Sequence, residues 1–351
     1  MRRMILLAML VVTLPAATLS LVAGGTSNES DGIPAKEARV TEPFATAMDR
    51  RGNLYICQFD GKIRLVDPSG IIRTVAGTGK GGYRGDGGPA LQVAMRAPHH
   101  ILLTPEDELL IADSFNNVVR RYSPASGRVF AFAGTGSNAF GGDGGPAVAG
   151  YFRGTFSLDF SPDRRTLYIC DLGNRRIRSV DMATGMLGTA AGNGKKGVPG
   201  DGSNALECPL VDPRAVCVDS KGRIYIVERG GNALRAVGPD GTLRTVVGTG
   251  NKGMAGDGGP ALEAEVNGPK HAWPDLEDSI LIADTENHLV RRYLPSTGKI
   301  ERVAGTGKAG SNLDADPLKT ELRRPHGVYV DRAGTIYIAD SANHRVLKIA
   351  K

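Results

Sequence analysis

The chain has 351 residues, of which 48 are glycine and 20 proline, against nine phenylalanines, nine tyrosines and one tryptophan. With 41% hydrophobic side chains it can bury a large core, which excludes a disordered chain, and this glycine and proline usage favours many short strands joined by tight turns. The net charge of +6 is modest, two of the positives being Arg2 and Arg3, and gives no ground for a nucleic-acid partner.

The first element is a leader. Arg2 and Arg3 precede the apolar run Met4–Leu14, and Pro15, Ala16 and Ala17 follow it. A basic start, a short apolar core and small residues after it predict a secretory signal peptide over residues 1–17. The run is too short for a membrane span, which needs roughly 20 residues. An uncleaved anchor is the alternative, and cleavage after Gly24 is an alternative to Ala17. The mature domain is then 18–351, secreted or periplasmic, with no stable membrane span once the leader is gone.

Next comes a strand-like segment, Leu19–Gly24, with a glycine-containing stretch behind it that runs through Asp31, Gly32 and Pro34 to Ala35. After it the chain repeats. Tyr55–Val66 (YICQFDGKIRLV), Leu110–Tyr122 (LIADSFNNVVRRY), Tyr168–Val180, Tyr225–Val237, Leu281–Tyr293 (LIADTENHLVRRY) and Tyr337–Ile349 are copies of one hairpin. An acid stands at Asp113, Asp171, Glu228, Asp284 and Asp340, with Gln58 in the first copy, so successive copies lie 55, 58, 57, 56 and 56 residues apart. A fixed period of this length marks a repeat architecture. Each unit holds four strand-like stretches, the first following a proline as at Pro325, and four short antiparallel strands per repeat make a propeller blade.

Three residues after the acid stand Asn116, Asn174, Gly231, Asn287 and Asn343; exchange of Asn with Gly predicts a positive-φ turn position there. Seven residues after it lie Arg120, Arg178, Arg235 and Arg291. Both sets recur in every well-formed unit and are read as framework. The tripeptide Asn287-His288-Leu289 and its surroundings resemble the NHL repeat family, and the connectors, GDGGPA in blades one, two and four, resemble its bacterial members. The resemblance implies an all-β, six-bladed propeller over nearly the whole chain after the leader, and it leaves function open. Because the last unit stops after its third strand, Leu19–Gly24 is expected to supply the missing outer strand and close the ring.

The connectors invite two other readings. A phosphate-binding loop occurs once and opens a helix, whereas GTGKGGYRG recurs without one. The connector acids Asp86, Asp143, Asp201 and Asp257 come singly, which suits loop capping better than calcium. Of the four cysteines, Cys57 and Cys170 occupy equivalent positions two blades apart and should be too distant to pair, whereas Cys208 and Cys217 could meet; buried thiols are the default.

Function is sought at the starts of the innermost strands. After Pro43, Pro98, Gly154, Pro213, Pro269 and Pro325 stand Phe44, His99, Thr155, Arg214, Lys270 and His326, with Arg153 just before its strand. These differ from blade to blade, as one site on a shared scaffold would. Arg214, Lys270 and His326 predict an anion pocket at the channel mouth, strengthened at low pH if His326 titrates near its ordinary value. A zinc site on His99 and His326 is the rival, implied by a resemblance to peptide-amidating lyase propellers; His271, offset by one, is expected to point off the channel, and two histidines alone make a poor zinc site. The leading function is a non-enzymatic, monomeric recognition module for an extracytoplasmic protein, peptide, glycan or small anion, with no nucleic acid and no cofactor. A hydrolase or lyase at the channel mouth, like lactonase or amidating-lyase propellers and dependent on zinc or calcium, is the alternative.

Overall fold

The computed structural model describes residues 17–350, so the leader read over residues 1–17 lies, Ala17 apart, outside the described residues. Those residues form six antiparallel sheets. The innermost strands are Pro43–Met48, His100–Leu103, Thr155–Phe160, Pro213–Val218, His271–Pro274 and Gly327–Val330, in blades one to six. Each packs against the next, and that of blade six packs against that of blade one. The expected closure is present: Thr18–Gly24 pairs antiparallel with Arg345–Ala350, from Thr18 opposite Ala350 to Gly24 opposite Arg345. Short strands at Ile33–Pro34 and Ser203–Asn204 add a fifth strand to blades one and four.

The core lies between blades rather than at one centre. Between blades one and two it gathers Cys57, Ile63, Met95, Ile101, Ile111 and Tyr122, nearly all without solvent contact. Fully burying such an aliphatic side chain contributes about 1.5–3 kcal/mol. All four cysteines are buried and free, with Cys208 and Cys217 in different clusters. Cys57 and Cys170 play one role in two blades, each Sγ donating to the carbonyl of a proline that opens a neighbouring inner strand, Pro98 and Pro213.

The hairpins carry the framework. Arg120 pairs with Asp113 at 2.9 Å and with the connector acid Asp86 at 3.0 Å, and Arg178 and Arg291 repeat the arrangement with Asp171 and Asp143 and with Asp284 and Asp257. One expectation is off by a residue. The left-handed position is held by Asn117, Arg175, Asn232, His288 and His344, each directly after the residue expected to hold it. The preceding Asn instead donates its side-chain amide to the acid, 2.8 Å from Asn116 to Asp113 and from Asn287 to Asp284. Gly231 answers a different need. Glu228 is one methylene longer than its counterparts, and a Cβ on residue 231 would stand 3.0 Å from its side chain.

Candidate functional site

Every innermost strand opens with an extra residue. His99, Lys270 and His326 send their backbone N–H groups to Ala112, Ala283 and Ala339, the same residues that pair with His100, His271 and Gly327. In blades one, three and four the register shifts at the same place, past Pro43, Thr155 and Pro213. Two residues opposite one is a β-bulge, a device that re-aims side chains and is enriched at functional edges. Here it turns the opening residue and its successor toward the channel.

Five of the six mouth positions are those expected: Phe44, His99, Arg214, Lys270 and His326. Blade three differs. Thr155 occupies the proline position, fully buried, and its hydroxyl donates to the Val118 carbonyl at 2.8 Å. The mouth position belongs to Phe156. Arg153 is exposed and its Nε donates to Asn138 on a connector. Contacts run around the ring from Lys270, whose Nζ lies 3.2 Å from His326 Nε2, to His326 stacked on Phe44 at 4.2 Å. They continue to His99 at 4.7 Å from Phe44, to Phe156 at 4.4 Å from His99, and to the Arg214 guanidinium 4.3 Å over the Phe156 ring. Among the described residues nothing joins Arg214 to Lys270, so the ring breaks between its two cations.

The mouth is therefore two-sided. Phe59 and Phe115, 39% and 48% exposed, extend the aromatic side above Phe44, His99 and Phe156, and an open groove of about 480 Å³ runs between them. On the basic side Glu286 accepts from Lys270 at 2.9 Å and from Arg324 at 2.8 Å. Phe115 and Glu286 hold the same place, two residues after the acid, where units three, four and six have Gly173, Gly230 and Ala342 and the first unit has Asp60 after Gln58. That variable column was the available signal for the residues missed at the hairpin tips.

Arg214 is the exceptional charge. Seven arginines are buried among the described residues, and Arg64, Arg120, Arg178, Arg235, Arg291 and Arg345 all form ion pairs. The Arg214 guanidinium has neither ion pair nor hydrogen bond there. Burial lowers Arg214 to about 9 and Lys270 to about 8, so both remain charged at neutral pH. Burial and the neighbouring Lys270 and Arg214 hold His326 well below the usual imidazole range. The expected gain in anion binding as His326 protonates near 6.5 is thereby removed. Both His326 nitrogens are engaged, Nδ1 donating to the Arg324 carbonyl at 3.1 Å and Nε2 accepting from Lys270.

His271 corrects another expectation. Buried and facing inward, its ring lies 4.7 Å from that of His100, which enters from the opposite blade. The bulge is the reason, because strict alternation would have turned it away. Another groove, about 630 Å³, lies by Leu276, Leu318, Ile336 and Ile349, away from the ring, and its Arg292 and Arg302 are already ion-paired. We take the mouth as the site because its cation is free.

The NHL repeat family model matches residues 322–349, and the teneurin NHL domain model matches residues 185–255. The chain is 24% identical over 352 residues to protein SUPPRESSOR OF QUENCHING 1, chloroplastic, of Arabidopsis thaliana, covering 93% of this chain and 33% of that one. It thus spans about a third of that relative's length. Among solved structures, an auxiliary nutrient binding protein from Bacteroides thetaiotaomicron superposes with a TM-score of 0.71 at 16% identity, covering 95% of this chain and 76% of that one. A streptogramin B lyase superposes at 0.55 with 12% identity, covering 95% and 98%. At such identities these two show the shared fold.

Proposed function

The chain belongs to the NHL repeat family, and from its channel mouth we propose that it is an exported, non-enzymatic binding propeller whose ligand carries a carboxylate or phosphate beside an apolar or aromatic group. The observation that carries this is Arg214, a buried guanidinium left unpaired at the gap facing Lys270. A planar fork of five donors suits a two-point bond to such an anion, and its stacking on Phe156 fixes the plane of that fork. Phe59 and Phe115 supply the surface for the ligand's apolar part. Export is supported by the basic, apolar and small-residue order of the leader; no helix among the described residues is long and apolar enough to cross a membrane.

A hydrolase or lyase is the second reading, and His99 is what favours it. Its Nδ1 donates to the Ala97 carbonyl at 2.7 Å, which leaves a lone pair on Nε2. Burial, with Arg214 nearby, depresses His99 well below its usual range, so it is a weak base at neutral pH. Binding therefore ranks first.

The test is calorimetry with aryl and alkyl carboxylates and organic phosphates. Wild type should bind at least one class, Arg214→Met should lose at least tenfold, and Lys270→Met should lose less, because Glu286 already shares that charge. Affinity should be flat from pH 5.5 to 7 and fall as pH rises through about 8, where Lys270 loses its proton. Failure of every probe, or an unchanged affinity in Arg214→Met, overturns the proposal.

A further inference from the structure

We infer that the channel beneath the mouth holds a second site, in which His100 and His271 bind a small inorganic or formate-sized anion on the propeller axis. The inference does not rest on the mouth ligand.

Backbone geometry fixes both imidazoles. The Leu158 N–H lies 3.3 Å from His100 Nδ1, and the Val328 N–H lies 3.4 Å from His271 Nδ1. A backbone N–H can only donate, so each Nδ1 accepts and the proton of each neutral ring sits on Nε2. Burial keeps both rings neutral, with His271 lowered to about 3. Two N–H donors thus face the channel, and that of His271 is buried with no partner. An unmet buried donor is uncommon in native structures and asks for an acceptor.

The tautomer decides what kind of acceptor. A metal needs an imidazole lone pair, and here those lone pairs lie on the Nδ1 atoms, already committed to the backbone. What the Nε2–H groups can take is an oxygen or a halide. A negative one is favoured by the neighbouring cation: besides burial, and for His100 besides His271, Arg214 is the charge that disfavours protonation of both rings. The equivalent positions of the other blades carry only short side chains or none, Ala45, Ser157, Ala215 and Gly327, so no other long side chain from this row reaches toward the two rings. The Ser157 hydroxyl accepts from the Val216 N–H and donates to the Val216 carbonyl, and it makes no hydrogen bond to either imidazole.

The molecule carries its own reporter. Trp273 is the only tryptophan, and its ring lies 6.1 Å from His100 and 6.2 Å from His271. Titration with sodium bromide, nitrate or formate at constant ionic strength should change Trp273 emission saturably at millimolar concentration. His271→Phe keeps an aromatic ring beside Trp273 and removes the donor, so its response should become linear and weak. The same variant should bind the carboxylates of the mouth as wild type does, which separates the two sites. Bromide-soaked crystals of wild type should place an anomalous peak about 3–3.5 Å from His271 Nε2. Linear quenching equal in wild type and variant, or a water in place of bromide at that nitrogen, would overturn the inference.

Discussion

The arginine of a blade hairpin and the arginine of the channel mouth are about equally buried, yet their surroundings are opposite. Arg120 reaches two carboxylates and the carbonyls of Arg84 and Ala94. Arg214 reaches an aromatic face and nothing else among the described residues. Removing one partner of a buried pair costs about 3–5 kcal/mol, while replacing an unfavourably buried ion by an apolar side chain of similar volume is often neutral or stabilising. The first kind of charge holds the blade together. The second is tolerated at a cost and has to be explained by what it meets.

One truncation and two substitutions press on that contrast, in falling order of effect. A chain beginning at Ser27, without the closing strand, loses the buried Leu19 and Ala23 and bares the edge at Arg345–Ala350. It should aggregate or melt far below a chain that keeps Thr18–Gly24 in calorimetry, and equal melting of a monomer would break the closure argument. Asp113→Ala leaves Arg120 buried with one carboxylate where it had two, and should cost about 3–5 kcal/mol in denaturant unfolding. A loss under 1 kcal/mol would mean that Asp86 alone satisfies Arg120. Arg214→Met should change stability by less than about 1 kcal/mol, or raise it, while it weakens carboxylate or phosphate binding at the mouth at least tenfold. A loss as large as that of Asp113→Ala would move Arg214 into the framework.

The fold was legible because six copies vote on each position, and a repeated acid at nearly constant spacing counts the blades without reference to any one residue. The mouth was legible on its basic side, where proline marks the strand start and Arg214, Lys270 and His326 follow it directly. What was misread was misread by one residue. Gly154 stood in for a proline, which put Thr155 where Phe156 belongs. Asn116 and its equivalents took the turn position that Asn117 and its equivalents hold. His271 was turned outward by an alternation that the bulge breaks. In a strand a one-residue slip changes the face of a side chain, and no composition signal reports a bulge. Phe59 and Phe115 escaped because the hairpins were read for what they share.

The pairing of Thr18 with Ala350 also bears on when the molecule becomes itself. The two partners are separated by almost the whole chain, and contacts of such separation carry the largest loop-closure entropy. During synthesis five blades can assemble while the segment Thr18–Gly24 waits for a neighbour that has not been made. The sixth blade is then the last to form, and the circle of inner strands that shapes the mouth is complete only when it does. Binding competence should therefore appear late in refolding, after most of the strand signal has returned.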